Sequence, residues 1–187
     1  GKQYITQWED KDNDTCVKDG EGKEIRDRED SDITLTTKDE TTGETKTTSN
    51  TVTIDAKEGN TANVTLKDVD IEQPDSHWSG NTDPAPIEIK GDGNTNLELN
   101  GNNTVLSGNG KHAGIEKADV NGTGTLTIKD DVNDDGTAKT GTEADTTGKL
   151  VAGGYDNGAG IGGGGYHDGK SYADTSNITI TGGDITA

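Results

Sequence analysis

Val64-Thr65-Leu66, Leu97-Glu98-Leu99 and Leu126-Thr127-Ile128 repeat one apolar-polar-apolar triplet along the stretch from Asn63 to Lys129, with steps of 33 and 29 residues. Working outward, Ile33-Thr34-Leu35 lies 31 residues before Val64, and Ile178-Thr179-Ile180 lies 52 after Leu126, a step that requires an insertion. These read as five copies of one strand, because alternate residues of a strand face the same side.

A second column runs beside the first: Val52-Thr53-Ile54, Ile87-Glu88-Ile89, Ile115 and Ile161, with steps of 35, 28 and 46 that track those of the first. A looser third column holds Val69 and Ile71, then Val105 and Leu106, then Leu150 and Val151, then Ile185. Three strands per repeat at this period signal a solenoid, in which no unit buries its apolar face alone.

Composition alone points the other way. The chain of 187 residues has 25% hydrophobic residues, no Phe or Met and a formal charge of −19, values typical of disorder. Placement outweighs them: of 28 Ile, Leu and Val residues, 23 fall in the three columns. Strands stacked about 4.8 Å apart need few inward residues per turn to fill a narrow core. The expected fold is therefore all-β, a right-handed parallel β-helix of about five irregular coils over residues 32–187, since β crossovers of this kind are right-handed by strong default. Residues 1–31 are the least periodic and read as an N-terminal cap, with Ile5 and Trp8 spaced as on one face of a short helix. The last residues, Ile185-Thr186-Ala187, are strand-like, which suggests a fragment of a longer surface protein.

The acidic balance speaks against nucleic acid and anionic membrane surfaces, which call for basic patches. No apolar run is long enough to span a bilayer. Cys16, the only cysteine, excludes an intrachain disulfide. Asp131-Val132-Asn133-Asp134-Asp135-Gly136 matches the opening of a calcium loop, with Asp131, Asn133 and Asp135 as the alternating oxygens, but the twelfth position is Thr142 and the nearest acid, Glu143, comes one place late. Calcium and a solvated acidic turn both fit; no other cofactor is implied. The glycine run Gly160 to Gly164 lacks the Lys-Ser or Lys-Thr and the helix of a phosphate loop.

Candidate ligand contacts lie off the repeat. Trp78 stands in a proline-bearing excursion from Gln73 to Pro86, and Tyr155, Asn157, Tyr166, His167 and Tyr172 cluster around the glycine run. Planar rings cover sugar faces or anchor protein contacts; the alternative is that they pack on their own loops. Asn100, Asn102 and Asn103 flank a corner, where asparagine bonds to neighbouring backbone.

Ala159-Gly160-Ile161-Gly162-Gly163-Gly164 and Ile178-Thr179-Ile180-Thr181-Gly182-Gly183-Asp184-Ile185-Thr186-Ala187 resemble the repeats of cell-surface proteins of Gram-positive bacteria, built as parallel β-helices of the pectate-lyase type. The resemblance covers roughly residues 50–187. It implies an extracellular, wall-attached location and an adhesin-like role.

Two readings divide the function. One is a non-catalytic module that binds a glycan or a host protein, such as a mucosal glycoprotein or immunoglobulin, through its loops; its bland form is a spacer. The other is a polysaccharide lyase or hydrolase on the same fold. On the first column the outward residues Lys67, Glu98 and Lys129 suggest a charge ladder rather than a catalytic set. They also interrupt the flat threonine array that ice binding would need. No carboxylate pair for glycosidic chemistry stands out, so no catalytic residue is assigned.

Overall fold

The computed structural model of the chain describes residues 2–7, 15–18, 24–27, 32–39, 41–75, 84–108, 112–117, 122–130, 148–155, 158–164 and 175–187. Its strands are, in order, β1 (Lys2–Gln7), β2 (Thr15–Lys18), β3 (Glu24–Asp27), β4 (Asp32–Leu35), β5 (Thr51–Ala56), β6 (Thr61–Lys67), β7 (Asp70–Glu72) and β8 (Ile87–Lys90). There follow β9 (Asn94–Asn100), β10 (Asn102–Leu106), β11 (Ile115–Lys117), β12 (Leu126–Asp130), β13 (Lys149–Gly153), β14 (Ile161–Gly162), β15 (Ile178–Ile180) and β16 (Asp184–Thr186). The described residues contain no helix.

Three sheets result. The first has the order β14-β11-β8-β5-β1-β2-β3, the second β15-β12-β9-β6-β4 and the third β16-β13-β10-β7. From β5 onward the chain visits first, second and third sheet in turn, and every pairing among these strands is parallel. The arrangement is compatible with a parallel β-helix. At the N-terminal end β1 joins β5 in parallel, and β2 and β3 extend the first sheet antiparallel. Lys2–Gln7 is thus a strand, not the helical turn expected from Ile5 and Trp8: pairing along the β5 edge satisfies its backbone groups, which outweighs a two-residue apolar spacing. Trp8 lies outside the described residues.

The second column aligns as read, with Val52 beside Ile87, Ile87 beside Ile115 and Ile115 beside Ile161. The first does so only in part. Ile33, Val64 and Leu97 are neighbours, but Leu97 pairs with Ile128 and Leu126 pairs with Thr95. The strand is shifted by two residues from the expected register, which leaves its apolar face inward. Thr95 is therefore fully buried between Ala62 and Leu126, and its hydroxyl has no hydrogen-bond partner. The shift brings Lys129 beside Glu98, which has Thr65 on its other side, whereas Lys67 pairs with Asn100, so only two members of the expected charge ladder meet. In the third column Val69 and Ile71 are both buried, whereas the next two pairs each turn one member outward. Val105 and Leu150 are buried, while Val151 is 45% exposed and Leu106 lies between Glu72 and Gly153.

The core lies between the sheets, with Ile54, Leu66, Ile87, Leu97, Leu99, Ile115, Leu126, Ile128 and Leu150 fully buried. Burial of each such side chain contributes about 1.5–3 kcal/mol. Asn103 takes an inward place in line with Leu150 and is only 2% exposed. Its Oδ1 accepts from Val69 N–H at 3.0 Å, and its Nδ2 donates to the carbonyls of Asn100 and Lys149 at 3.1 Å each. The corner reading of this asparagine holds, with one amide joining three successive passes of the chain.

Left-handed residues turn the corners. Asp68 (φ 50), Gly101 (φ 65) and Gly183 (φ 92) link the second sheet to the third. Gly59 (φ 83), Gly91 (φ 85) and Asn177 (φ 60) lie between the first and second. At Gly91 a Cβ would also overlap the backbone carbonyl of Ala56 in the preceding pass. Asp68 accepts from Lys38 Nζ at 3.0 Å and from Asn102 N–H at 3.1 Å. Burial works to raise its carboxyl, but the Lys38 ammonium and the Asn102 amide outweigh that and hold it below the usual carboxylate range.

Candidate functional site

Of the candidate ligand contacts, Tyr155 is described; Trp78, Asn157, Tyr166, His167 and Tyr172 lie outside the described residues. Tyr155 follows β13 at the corner leading from the third sheet to the first, where its ring is half-buried. Its hydroxyl donates to Asp75 Oδ2 at 3.0 Å, across 80 residues of sequence. Asp75 stands three residues past β7, at the start of the excursion that carries Trp78. Backbone bonds fix the corner beneath: Gln73 N–H donates to the Leu106 carbonyl at 3.0 Å and Ser107 N–H to that of Gly153 at 2.8 Å. The Gln73 side chain closes the base of the excursion by donating to the Pro84 carbonyl at 2.8 Å. The stacked corners therefore bring the roots of two loops together, one leading to Trp78 and the other to Asn157.

A second cluster was missed in sequence. Glu88 and Glu116 are direct neighbours on β8 and β11, on the outer side of the first sheet, and both are nearly buried at 8% and 7% exposure. Glu88 Oε2 lies 2.9 Å from Lys90 Nζ and accepts a longer bond from Thr53 Oγ1 at 3.4 Å. Glu116 Oε2 accepts from Ala113 N–H at 3.1 Å and lies 2.9 Å from His112 Nδ1. The imidazole proton belongs on Nδ1 there, since a carboxylate can only accept. A carboxylate pair does exist, but one oxygen of each acid is held by its own side of the site, the arrangement of a structural bracket. The signal lay in the second column, where a glutamate follows both Ile87 and Ile115.

Comparisons of the chain with protein-family models, curated proteins and solved structures gave no match.

Asp131, Asn133 and Asp135 lie outside the described residues. The ends of that insertion are described: Asp130 Oδ1 accepts from Gly148 N–H at 2.8 Å. Among the described residues, no group of three or more His, Cys, Asp or Glu side chains is placed to hold a metal ion.

The outer side of the second sheet is a polar array. Across its strands Asn63, Asn96, Thr127 and Thr179 form one row: Asn63 meets Asn96 on β6 and β9, Asn96 meets Thr127 on β9 and β12, and Thr127 meets Thr179 on β12 and β15. Asn96 Nδ2 donates to Asn63 Oδ1 at 2.8 Å, and Thr125 Oγ1 to Asn94 Oδ1 at 2.8 Å. In the adjacent row Lys129 Nζ lies 2.7 Å from Glu98 Oε1.

Proposed function

We propose that the chain is a non-catalytic extracellular module, a right-handed parallel β-helix of about five coils whose loops bind a glycan or a host protein, such as a mucosal glycoprotein or immunoglobulin. The observation that carries this reading is the Tyr155–Asp75 hydrogen bond. It roots the Trp78 excursion and the Tyr155–Asn157 loop at one corner, so that rings and amides from distant sequence can converge on a single ligand. Planar side chains held at a rigid corner lose little entropy on binding. The resemblance to repetitive Gram-positive surface proteins supports an adhesin-like role at the bacterial cell surface. Calcium at Asp131, Asn133 and Asp135 belongs to the same proposal.

The test is a glycan-array and serum-protein binding screen, with and without calcium, of the chain beside Tyr155→Ala and Trp78→Ala variants. Saturable binding that the folded variants lose is the expected result; no binding under any condition would make the module a spacer. A lyase or hydrolase is favoured by one observation, the adjacent Glu88 and Glu116. Their burial and internal bonds support the bracket instead, and release of reducing ends or unsaturated sugars that Glu116→Gln abolishes would reverse that choice.

A further inference from the structure

The three outer faces differ in what they can offer. That of the first sheet is already covered, as the low exposure of Thr51, Thr53, Glu88 and Glu116 records. That of the third carries the carboxylates of Asp70, Glu72 and Asp184 in a chain of formal charge −19. The second sheet presents mainly threonine and asparagine. Among its described side chains Glu98 is neutralised by Lys129 at 2.7 Å, and Lys67 stands at the strand end.

Resting on the proposed glycan-binding role, we propose that the outer face of the second sheet, rather than the loops alone, is a docking surface for an uncharged polysaccharide chain. Three features argue for that occupant. Hydroxyls and amides repeat about 4.8 Å apart from strand to strand, matching a polymer that repeats its own hydroxyls. The Asn63–Asn96 and Asn94–Thr125 bonds hold these side chains in place before any ligand arrives, so little rotamer freedom remains to be lost. Neutral groups shed water at far lower cost than charges do, and the internally paired Glu98 and Lys129 leave the face suited to an uncharged partner.

The test is co-sedimentation of the chain with cellulose, chitin and starch granules, beside Thr127→Lys, Thr179→Lys and Tyr155→Ala variants whose folding is checked by circular dichroism. The expected result is retention on at least one neutral polysaccharide, weakened tenfold or more by either lysine. Retention lost only in Tyr155→Ala would overturn the sheet surface and leave the loop reading standing. No retention on any of the three would also overturn it, and the serum-protein arm of the screen then decides separately whether the loops bind a protein.

Discussion

Replacing Asn103 by leucine would continue an apolar line, because the inward neighbour on β13 is Leu150. On hydrophobic grounds the change should stabilise, by about 2 kcal/mol for a fully buried leucine. The hydrogen bonds argue the reverse. Two backbone groups, Val69 N–H at 3.0 Å and the Lys149 carbonyl at 3.1 Å, would lose the amide's hydrogen bond, while the Asn100 carbonyl keeps the one from Asp68 N–H at 3.3 Å. Each buried group left unsatisfied costs about 1–3 kcal/mol, so the loss is about 2–6 kcal/mol against that gain. A net destabilisation of about 2 kcal/mol is expected, which for a chain of this length lowers Tm by about 4–8 °C. Urea and thermal unfolding followed by far-UV circular dichroism would measure it. An Asn103→Leu protein as stable as the parent would refute the reasoning, showing that the amide is replaceable filling.

Thr95→Val removes a buried hydroxyl that has no partner and should stabilise by about 1 kcal/mol; a loss of stability would show that the hydroxyl is hydrogen-bonded in the folded chain. Glu98→Gln should cost under about 1 kcal/mol, with the difference shrinking in high salt, while Lys67→Gln should leave stability within about 0.5 kcal/mol. Equal effects from the two would contradict the pairing of Glu98 with Lys129 alone. Because the Asp68 carboxyl is held below its usual range, its contribution is fully present above the unfolded-state value near 4 and is lost as pH falls through the folded value. Asp68→Asn should therefore flatten the acid limb of a stability-against-pH curve, and an unchanged limb would show that Lys38 and Asn102 do not favour the charged form.

The second column could be aligned from sequence because its strands are short: Ile115 and Ile161 are single apolar residues among glycines, so only one alignment fits. The first column is degenerate. Leu97-Glu98-Leu99 presents the same face after a slide of two residues, and nothing in Leu126-Thr127-Ile128 tells which leucine it meets. Thr95 resolved the choice by entering the core, a place polarity scales would deny it. Asn103 was read as a corner residue and proved to be inward as well, because its amide satisfies backbone groups where adjacent passes meet. For the aromatic loops no period exists to read. The meeting of two loop roots at Tyr155 and Asp75 depends on which corners stack, information held in the strands rather than in the loops themselves. The Glu88–Glu116 pair needed only the outward residues of the second column to be followed with the care given to those of the first.

The Asp130–Gly148 bond brings together the two ends of the long insertion. The described chain stops at Asp130 and resumes at Gly148, one hydrogen bond away, and on either side the pairings of β12 with β9 and of β13 with β10 run on in register. Closing a flexible loop costs only about 0.6 kcal/mol more for each doubling of its length. Segments of different size and chemistry could be exchanged at this neck without re-registering the strands, so the length of chain inserted here is decoupled from the stack that carries it.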